Sequence, residues 1–262
     1  MSILLVEVVS EGIIFGADRN VTHSKPRQGK QRPIEIRGQS QRPKVLRWPR
    51  RKALIGYVGA AQIGGIPTDE WLYDFIGDHL TFSNFADLSE SLRASVEKQR
   101  SIDERGSEAR PLIIHLGGFE KRDGVNVPVI WYIRNTYSVG EDLYGGVRKE
   151  FEHSEEFWRY FPDSSPREIR ANLGKLASEY NPFWFHQGFD LGTFNLIERF
   201  LKVAFKVLCD NHPDHSLPST VREWERQVRM SILTYGAYFQ AFKEPGEQYV
   251  GGGADTVCID WP

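Results

Sequence analysis

The sequence predicts an α+β fold, in which two antiparallel sheets are covered by helices. Short apolar segments occur in pairs around turns such as Ser10-Glu11-Gly12, as the strands of hairpins do. Apolar residues at helical spacing occur in separate blocks instead of alternating with single strands. Grouped strands and grouped helices favour antiparallel sheets over a parallel, doubly wound fold. The 262 residues, 40% of them hydrophobic, suffice for a single domain spanning 1–262.

The amino-terminal residues predict the first hairpin. Ile3 to Val9 and Ile13 to Ala17 form its two strands, and the second strand ends at Asp18. The stretch that follows, at about 20–42, is rich in Gly, Pro, Gln and Arg and has few large apolar residues. We expect it to be an insertion, either a long solvated loop or an extended hairpin.

A second hairpin and two helices come next. Lys44 to Trp48 and Ala53 to Val58 read as strands, and the second of them runs into Gly59. Two amphipathic patterns then predict helices. The first helix opens at Pro67 and the second is capped by Ser83.

The second half of the chain predicts a third hairpin, two long helices and a closing strand. The hairpin pairs Pro111 to Gly117 with Val129 to Tyr137 around the turn EKRDG. Residues 139–182 read as an insertion holding one short helix, from Pro166 to Tyr180. Two helical stripes face the core. The first is Phe194, Ile197, Leu201, Phe205 and Leu208; the second, after a capping box of Thr220 and Glu223, is Trp224, Val228, Ile232, Tyr235 and Phe239. In the closing strand, Val257, Ile259 and Trp261 share one face.

Positive charge is concentrated in one stretch of a chain whose formal net charge is -2. Eleven Lys or Arg residues lie between Lys25 and Lys52, against the lone Glu35. Clustered positive charge can bind phosphates. No nucleic-acid motif accompanies it, and Trp48 is its only aromatic residue, so the sequence favours a solvated face or an acidic partner over a nucleic acid.

The remaining composition predicts a cytoplasmic protein without metal or cofactor. Two cysteines, Cys209 and Cys258, are too few for a disulfide framework or a metal cluster and indicate a reducing compartment. No apolar run is long enough to span a membrane, and the amino terminus has no basic leader or cleavage site. His212 and His215 have a spacing that could bind a metal, but a polar turn is favoured because further ligands are missing.

Ser2 is a candidate nucleophile. If Met1 is removed, the hydroxyl and the α-amine of Ser2 share one Cα. An α-amine titrates at about 7.7–8.0, so its neutral fraction can accept a proton from a nearby hydroxyl at neutral pH. One residue then serves as nucleophile and base. The alternative is that Met-Ser carries no function, since many unrelated proteins begin with it.

Three further residues complete the candidate site if the sheet brings them to Ser2. A cation at Lys44 would stabilise the alkoxide and lower the pKa of the amine. Asp18 would hold Lys44, and the backbone N–H of Gly59 would bind the developing oxyanion. The alternative is an ordinary ion pair at strand ends and a glycine required by a turn.

The motifs GIIFGADR, KVLRWPRRKALIGYVGAA and GGGADTVCID resemble those of the proteasome-type N-terminal nucleophile hydrolases. This family includes the proteasome β subunits and a related bacterial two-component peptidase. The resemblance implies a four-layer αββα sandwich and a threonine-type peptidase with Ser2 as nucleophile. It also implies that Asp18, Lys44 and Gly59 take the places of the family's aspartate, lysine and oxyanion glycine. The resemblance is also in keeping with a peptide or amide substrate, a homo-oligomeric ring and an unfoldase ATPase partner.

The sequence also departs from the family pattern. Family members carry a second aspartate and a serine near the terminal glycine tract, where this chain has Gln248 and Gly251. His186-Gln187-Gly188 is the match to the family's Ser-Gly turn before the third helix. The leading hypothesis is a proteasome-like peptidase that uses an N-terminal serine. The alternative is a non-catalytic ring or binding subunit with the same fold.

Overall fold

A computed structural model describes residues 3–24, 36–49, 53–103, 110–136, 147–188, 191–242 and 250–262. Ser2 and Gln248 lie outside these ranges. Within them the chain forms thirteen strands and five α-helices, and every strand pair is antiparallel. The mixed α and β content and the antiparallel pairing are as the sequence predicts.

The first sheet has four strands, with β1 and β2 inside and β12 and β13 at the edges. Every residue of β1 and β2 is buried. This burial explains their continuous apolar sequences, since a strand covered on both faces needs no polar alternation. The strands are β1 Ile3–Val9, β2 Gly12–Asp18, β12 Phe183–Gly188 and β13 Ala254–Asp260.

The second sheet has five strands in the order β11-β10-β9-β6-β5. The β9–β10 hairpin turns at Asp123 and Gly124, whose φ angles of 50° and 79° suit a two-residue turn of type I′. The strands are β5 Val45–Arg47, β6 Ala53–Gly59, β9 Leu112–Arg122, β10 Val125–Arg134 and β11 Glu152–Glu155.

Two small strand pairs lie outside these sheets. β3 Asn20–Ser24 pairs with β4 Ile36–Gln41, so the insertion predicted at about 20–42 contains a pair of antiparallel strands in its described part. β7 Gln62–Ile63 pairs with β8 Ile66–Pro67 just before the first helix.

The helices lie near the positions that the periodicity predicts. Their bounds are α1 Thr68–Asp78, α2 Phe85–Asp103, α3 Pro166–Ser178, α4 Leu191–Asn211 and α5 Val221–Phe242, with a short 3₁₀ helix at Phe157–Tyr160. None of the helices in the described ranges combines the length and the apolar character needed to cross a membrane.

Two helix caps can be compared with their predictions. The capping box of α5 is confirmed: Thr220 N donates to Glu223 Oε2 at 3.1 Å, and Glu223 N donates to Thr220 Oγ1 at 3.3 Å. The prediction that Ser83 caps α2 is wrong. Asn84 Oδ1, not Ser83, accepts the N–H of Asp87 at 2.7 Å, because the helix begins one residue later than the sequence suggested.

Three apolar clusters hold the elements together. One joins the two sheets, with Phe15 and Ile259 from the first and Leu54 and Ile130 from the second, and α3 contributes Leu173 to it. Another joins α1 and α2 to the second sheet, and the third joins α4 and α5 to the first sheet. Each sheet therefore shares apolar contacts with the other sheet and with one pair of helices.

One sequence prediction is wrong at the edge strand β12. His186-Gln187-Gly188, matched to a turn, instead belongs to β12 and pairs with the start of β1. The register places His186 opposite Leu5 and Gln187 opposite Leu4. The aromatic residues at 183–185 explain the strand, since aromatic side chains fit a half-buried pleated surface.

Candidate active site

The carboxylate of Asp18 joins the beginning of β1 to Lys44. Asp18 ends β2 and is 1% exposed. Its Oδ1 accepts the backbone N–H of Ile3 at 2.9 Å and Lys44 Nζ at 3.0 Å. Leu4 pairs with Ala17, so the hairpin register brings Ile3 to Asp18. The structure thus brings together two of the four predicted site residues, Asp18 and Lys44, beside Ile3 at the start of β1.

The second oxygen of Asp18 is held by backbone groups. Oδ2 accepts the N–H of Asn20 at 3.2 Å and that of Gly251 at 3.4 Å. The sequence analysis missed both supports, because a backbone N–H is present in almost every residue and no side-chain type marks it. With four donors on its two oxygens, the carboxylate has a fixed orientation.

Lys44 is buried, with 2% of its side chain exposed. Besides binding Asp18, its Nζ donates to the backbone carbonyl of Asn20. Burial lowers the pKa of Lys44, and the charge and hydrogen bond of Asp18, together with the charge of Asp255, oppose that shift. The result is a desolvated, firmly positioned ammonium group beside the start of β1.

Gly59 ends β6, the strand that pairs with β5 directly after Lys44. Its φ of 107° lies in a region that favours glycine, and a Cβ there would come within 2.2 Å of the carbonyl oxygen of Pro111. Backbone geometry alone therefore explains why this residue is glycine. Its role as an oxyanion donor remains a prediction.

The glycine tract before β13 encloses the residues that follow Asp18. Gly251, Gly252 and Gly253 have φ angles of 148°, 70° and 98°. The carbonyls of Gly251 and Gly253 both accept the N–H of Arg19 at 3.2 Å. A Cβ on Gly252 would lie 2.5 Å from Asn20 Oδ1. The run of three glycines was the signal that could have placed this tract at the site.

An acidic groove lies beside the strand that follows Lys44. It has a volume of about 310 Å³, and its lining residues are Pro43, Leu46, Asp69, Glu70, Tyr73 and Asp74. Arg42 donates to Asp69 at 3.2 Å and to Glu70 at 2.6 Å. Two of the three carboxylates in this groove therefore share the guanidinium of Arg42.

His212 and His215, whose spacing could bind a metal, follow the end of α4. The rings of His212 and His215 are 5.8 Å apart and nearly perpendicular. Among the residues that the structure describes, no three His, Cys, Asp or Glu side chains are placed to hold a metal ion. Cys209 and Cys258 are free thiols.

Comparison with known proteins supports the fold. No protein-family profile and no curated protein matches the chain. Among solved structures, a Gly-1 mutant of Anbu from Hyphomicrobium sp. strain MC1 is similar with a TM-score of 0.50 and 14% identity, over 99% of this chain and 82% of that chain. Anbu, the ancestral β-subunit, from Yersinia bercovieri has a TM-score of 0.49 and 11% identity, over 98% and 81%. At such low identity the first likeness shows a shared fold and nothing more.

Proposed function

We propose that this chain is a proteasome-like amide hydrolase whose nucleophile is Ser2, exposed by removal of Met1. The observation that carries the proposal is the carboxylate oxygen of Asp18 that binds both Ile3 N and Lys44 Nζ. In the sequence, Ser2 directly precedes Ile3, whose N–H binds the same carboxylate oxygen as Lys44.

In the proposed reaction, Ser2 Oγ attacks the amide carbonyl carbon, and the α-amine of Ser2 accepts the hydroxyl proton. Lys44, held by Asp18, stabilises the negative charge, and the N–H of Gly59 binds the oxyanion. The amine then passes its proton to the leaving nitrogen as the C–N bond breaks, which leaves an ester on Ser2. Water hydrolyses that ester, releases the acid and restores the free serine.

The ion pair with Asp18 supports the charged form of Lys44 that this chemistry needs, whereas burial opposes it by lowering the pKa of Lys44. A positive charge in a low-dielectric site interacts more strongly with a nearby alkoxide or amine than it would in water. It also disfavours protonation of a neighbouring amine, which raises the fraction of Ser2 that can act as a base.

The family resemblance extends the proposal to assembly and setting. We propose that the layers follow the order αββα, that the subunits form a homo-oligomeric ring in the cytoplasm, and that an unfoldase ATPase delivers peptides to it. The contact clusters of the two sheets with their helices and with each other support the layer order.

A non-catalytic ring or binding subunit is the second candidate. It is favoured by Gly251, which gives Asp18 only a backbone N–H at the place where the resemblance implies a serine side chain. Intact-mass analysis separates the two candidates first, because a retained Met1 blocks the amine and supports the non-catalytic subunit. Loss of one methionine, followed by labelling of Ser2 with a β-lactone probe, supports the hydrolase.

Substitution then tests the individual roles. Ser2→Ala keeps the Asp18–Lys44 pair and should abolish both probe labelling and peptide hydrolysis. Lys44→Ala should lower turnover by about 10²–10³-fold or more, the loss typical when a charge-stabilising group is removed. Lys149→Ala, at an exposed lysine, is the matched control and should keep full activity. Undiminished turnover in a folded Lys44→Ala variant would contradict the assignment.

A further inference from the structure

Glu7 is the charged residue of the otherwise apolar strand β1. Side chains alternate between the two faces of a strand, so Glu7 shares a face with Leu5 and Val9, which pack in the cluster between the first sheet, α4 and α5. Glu7 is 3% exposed, and its Oε2 has no hydrogen-bond partner among the described residues. Because a glutamate is almost never buried so completely unless it is paired, its place in this strand needs an explanation other than packing.

Helix α4 supplies the charged groups that face Glu7. Lys202 Nζ lies 4.0 Å from Glu7 Oε1 and forms an ion pair with Glu198, one turn earlier on the same helix. The side chain of Glu198 is 1% exposed, and that of Lys202 is 14% exposed. Two carboxylates thus share one ammonium group between β1 and α4. When all three groups are ionised, the cluster has a net charge of -1.

The side chains around this cluster do little to compensate that charge. β12 places Trp184 opposite Glu7, and Lys202 Nζ lies 4.9 Å from the centroid of its ring. β2 places the apolar Ile14 opposite Glu7 on the other side, and α5 adds apolar side chains such as Val228.

Other titratable groups near the cluster are Tyr180 after α3, His186 on β12, and Arg199 and Cys209 on α4. Burial raises the pKa of Tyr180 and lowers that of His186, so both are neutral near pH 7. Arg199 is exposed, and its charge favours the ionised form of Glu198. Lys202 is therefore the buried cation that faces both carboxylates in the described part of the chain.

We propose that Glu7, Glu198 and Lys202 form a proton-dependent latch that holds α4 against the first sheet. With one proton bound, the cluster consists of a neutral carboxyl group and a carboxylate–ammonium pair, so no net charge is buried. Loss of that proton leaves two carboxylates with one ammonium group. A buried charge without a partner is strongly destabilising, and separation of α4 from β1 relieves it because water then reaches the charged groups.

The direction of the pH dependence follows from the balance of charges. Burial raises the pKa of Glu7 to about 7 from 4.5, Glu198 adds to the shift, and Lys202 opposes it. Because the two carboxylates interact, the proton belongs to the pair and not to Glu7 alone. The folded form binds this proton more tightly than the unfolded form, so the latch is closed at low pH and opens as the pH rises through 7.

The test is hydrogen exchange of the backbone amides, corrected for the intrinsic effect of pH on exchange. Release of one proton on opening should make the α4 amides of the full chain exchange about tenfold faster at pH 8 than at pH 6. The amides of α2, which packs on the second sheet, are the internal reference. In Glu7→Gln the side chain is neutral at every pH, so α4 should exchange slowly and equally at both pH values.

Two further variants test the charges of the latch in opposite directions. Glu198→Gln should move the midpoint of opening to lower pH, because the charge of Glu198 favours protonation of Glu7. Lys202→Met should move the midpoint to higher pH, because the charge of Lys202 opposes that protonation. Asp210→Asn is the matched control on α4, where the carboxylate is 57% exposed, and it should keep the wild-type midpoint.

Three results would overturn the inference. They are a wild-type α4 whose corrected exchange does not change with pH, a Glu7→Gln variant that keeps the wild-type pH dependence, and shifts of the same sign in Glu198→Gln and Lys202→Met. Circular dichroism at pH 6 checks that the variants are folded, and the measurement on the wild-type protein decides the first point without any substitution. The readout requires no catalytic activity, so its outcome is independent of the proposed hydrolase.

Discussion

The Asp18 side chain binds more groups than any other predicted site residue that the structure describes. Four donors reach its two oxygens, and one of them is the buried ammonium of Lys44. A buried ion pair contributes little net stability compared with apolar residues of the same shape, yet loss of one partner leaves the other buried and uncompensated. The pair therefore favours a functional role for these residues over a purely stabilising one.

Asp18→Asn should destabilise the fold by about 3–5 kcal/mol, because Lys44 would remain buried without its counter-charge. The double variant Asp18→Asn with Lys44→Met should recover a large part of that loss. Urea denaturation of both variants measures the difference. If the single variant is as stable as the wild type, then the ion pair is not formed in solution.

Two glycine positions allow the cost of an unfavourable φ angle to be measured apart from the cost of a steric clash. Gly65→Ala, at φ 73° and in open space, should cost about 1–2 kcal/mol from conformation alone. Gly59→Ala should cost more, since the added Cβ would also meet the backbone oxygen of Pro111. Thermal denaturation compares the two, and equal losses would show that the contact at Gly59 relaxes without cost.

At the scale of single elements, the start of α2 gives a direct test of capping. Asn84→Ala should destabilise the protein by about 0.5–2 kcal/mol, the usual cost of removing an N-cap side chain. Ser83→Ala should change stability by less than about 0.5 kcal/mol, because its hydroxyl contacts only exposed side-chain groups, the carboxylate of Asp87 and the amide of Asn84. The reverse order of the two effects, measured by chemical denaturation, would restore Ser83 as the cap.

Local patterns were enough to predict the hairpin of β1 and β2, the long helices and the closing strand. The edge strand β12 was not predictable in the same way, since it pairs with β1 across more than 170 residues of sequence and such pairing has no local signal. In the candidate site, Asp18 and Lys44 could be named because charged side chains at strand ends are visible in a sequence. The hydrogen bonds that the N–H groups of Asn20 and Gly251 donate to Asp18 could not be predicted, because a backbone N–H has no side-chain signal.

At the scale of the whole molecule, the first sheet and α4 meet at a buried group of charges. Burial raises the pKa of Glu7 to about 7 from 4.5, with Lys202 opposing the shift and Glu198 adding to it. Burial also raises the pKa of Glu198. The pKa of Tyr180 is raised chiefly by burial, and the negative charges of Glu7 and Glu198 add to that shift. The folded protein therefore holds a proton on Glu7 more tightly than the unfolded chain does.

This difference predicts how stability depends on pH. Because the pKa of Glu7 is raised in the folded state, its contribution is fully present below pH 4.5 and is lost as the pH rises through 7. Glu7→Gln should flatten this part of the curve and leave the variant more stable than the wild type above pH 7. Denaturation midpoints at several pH values check the prediction, and parallel curves for both proteins would contradict it.

The position of β1 has a practical consequence for producing the protein. This strand is hydrogen-bonded to β2 on one edge and to β12 on the other, and the N–H of Ile3 is fixed to Asp18. Under the proposed function, an uncleaved affinity tag ahead of Ser2 would block its α-amine and so prevent catalysis. Purification handles belong after Pro262, which is exposed at the far end of the chain.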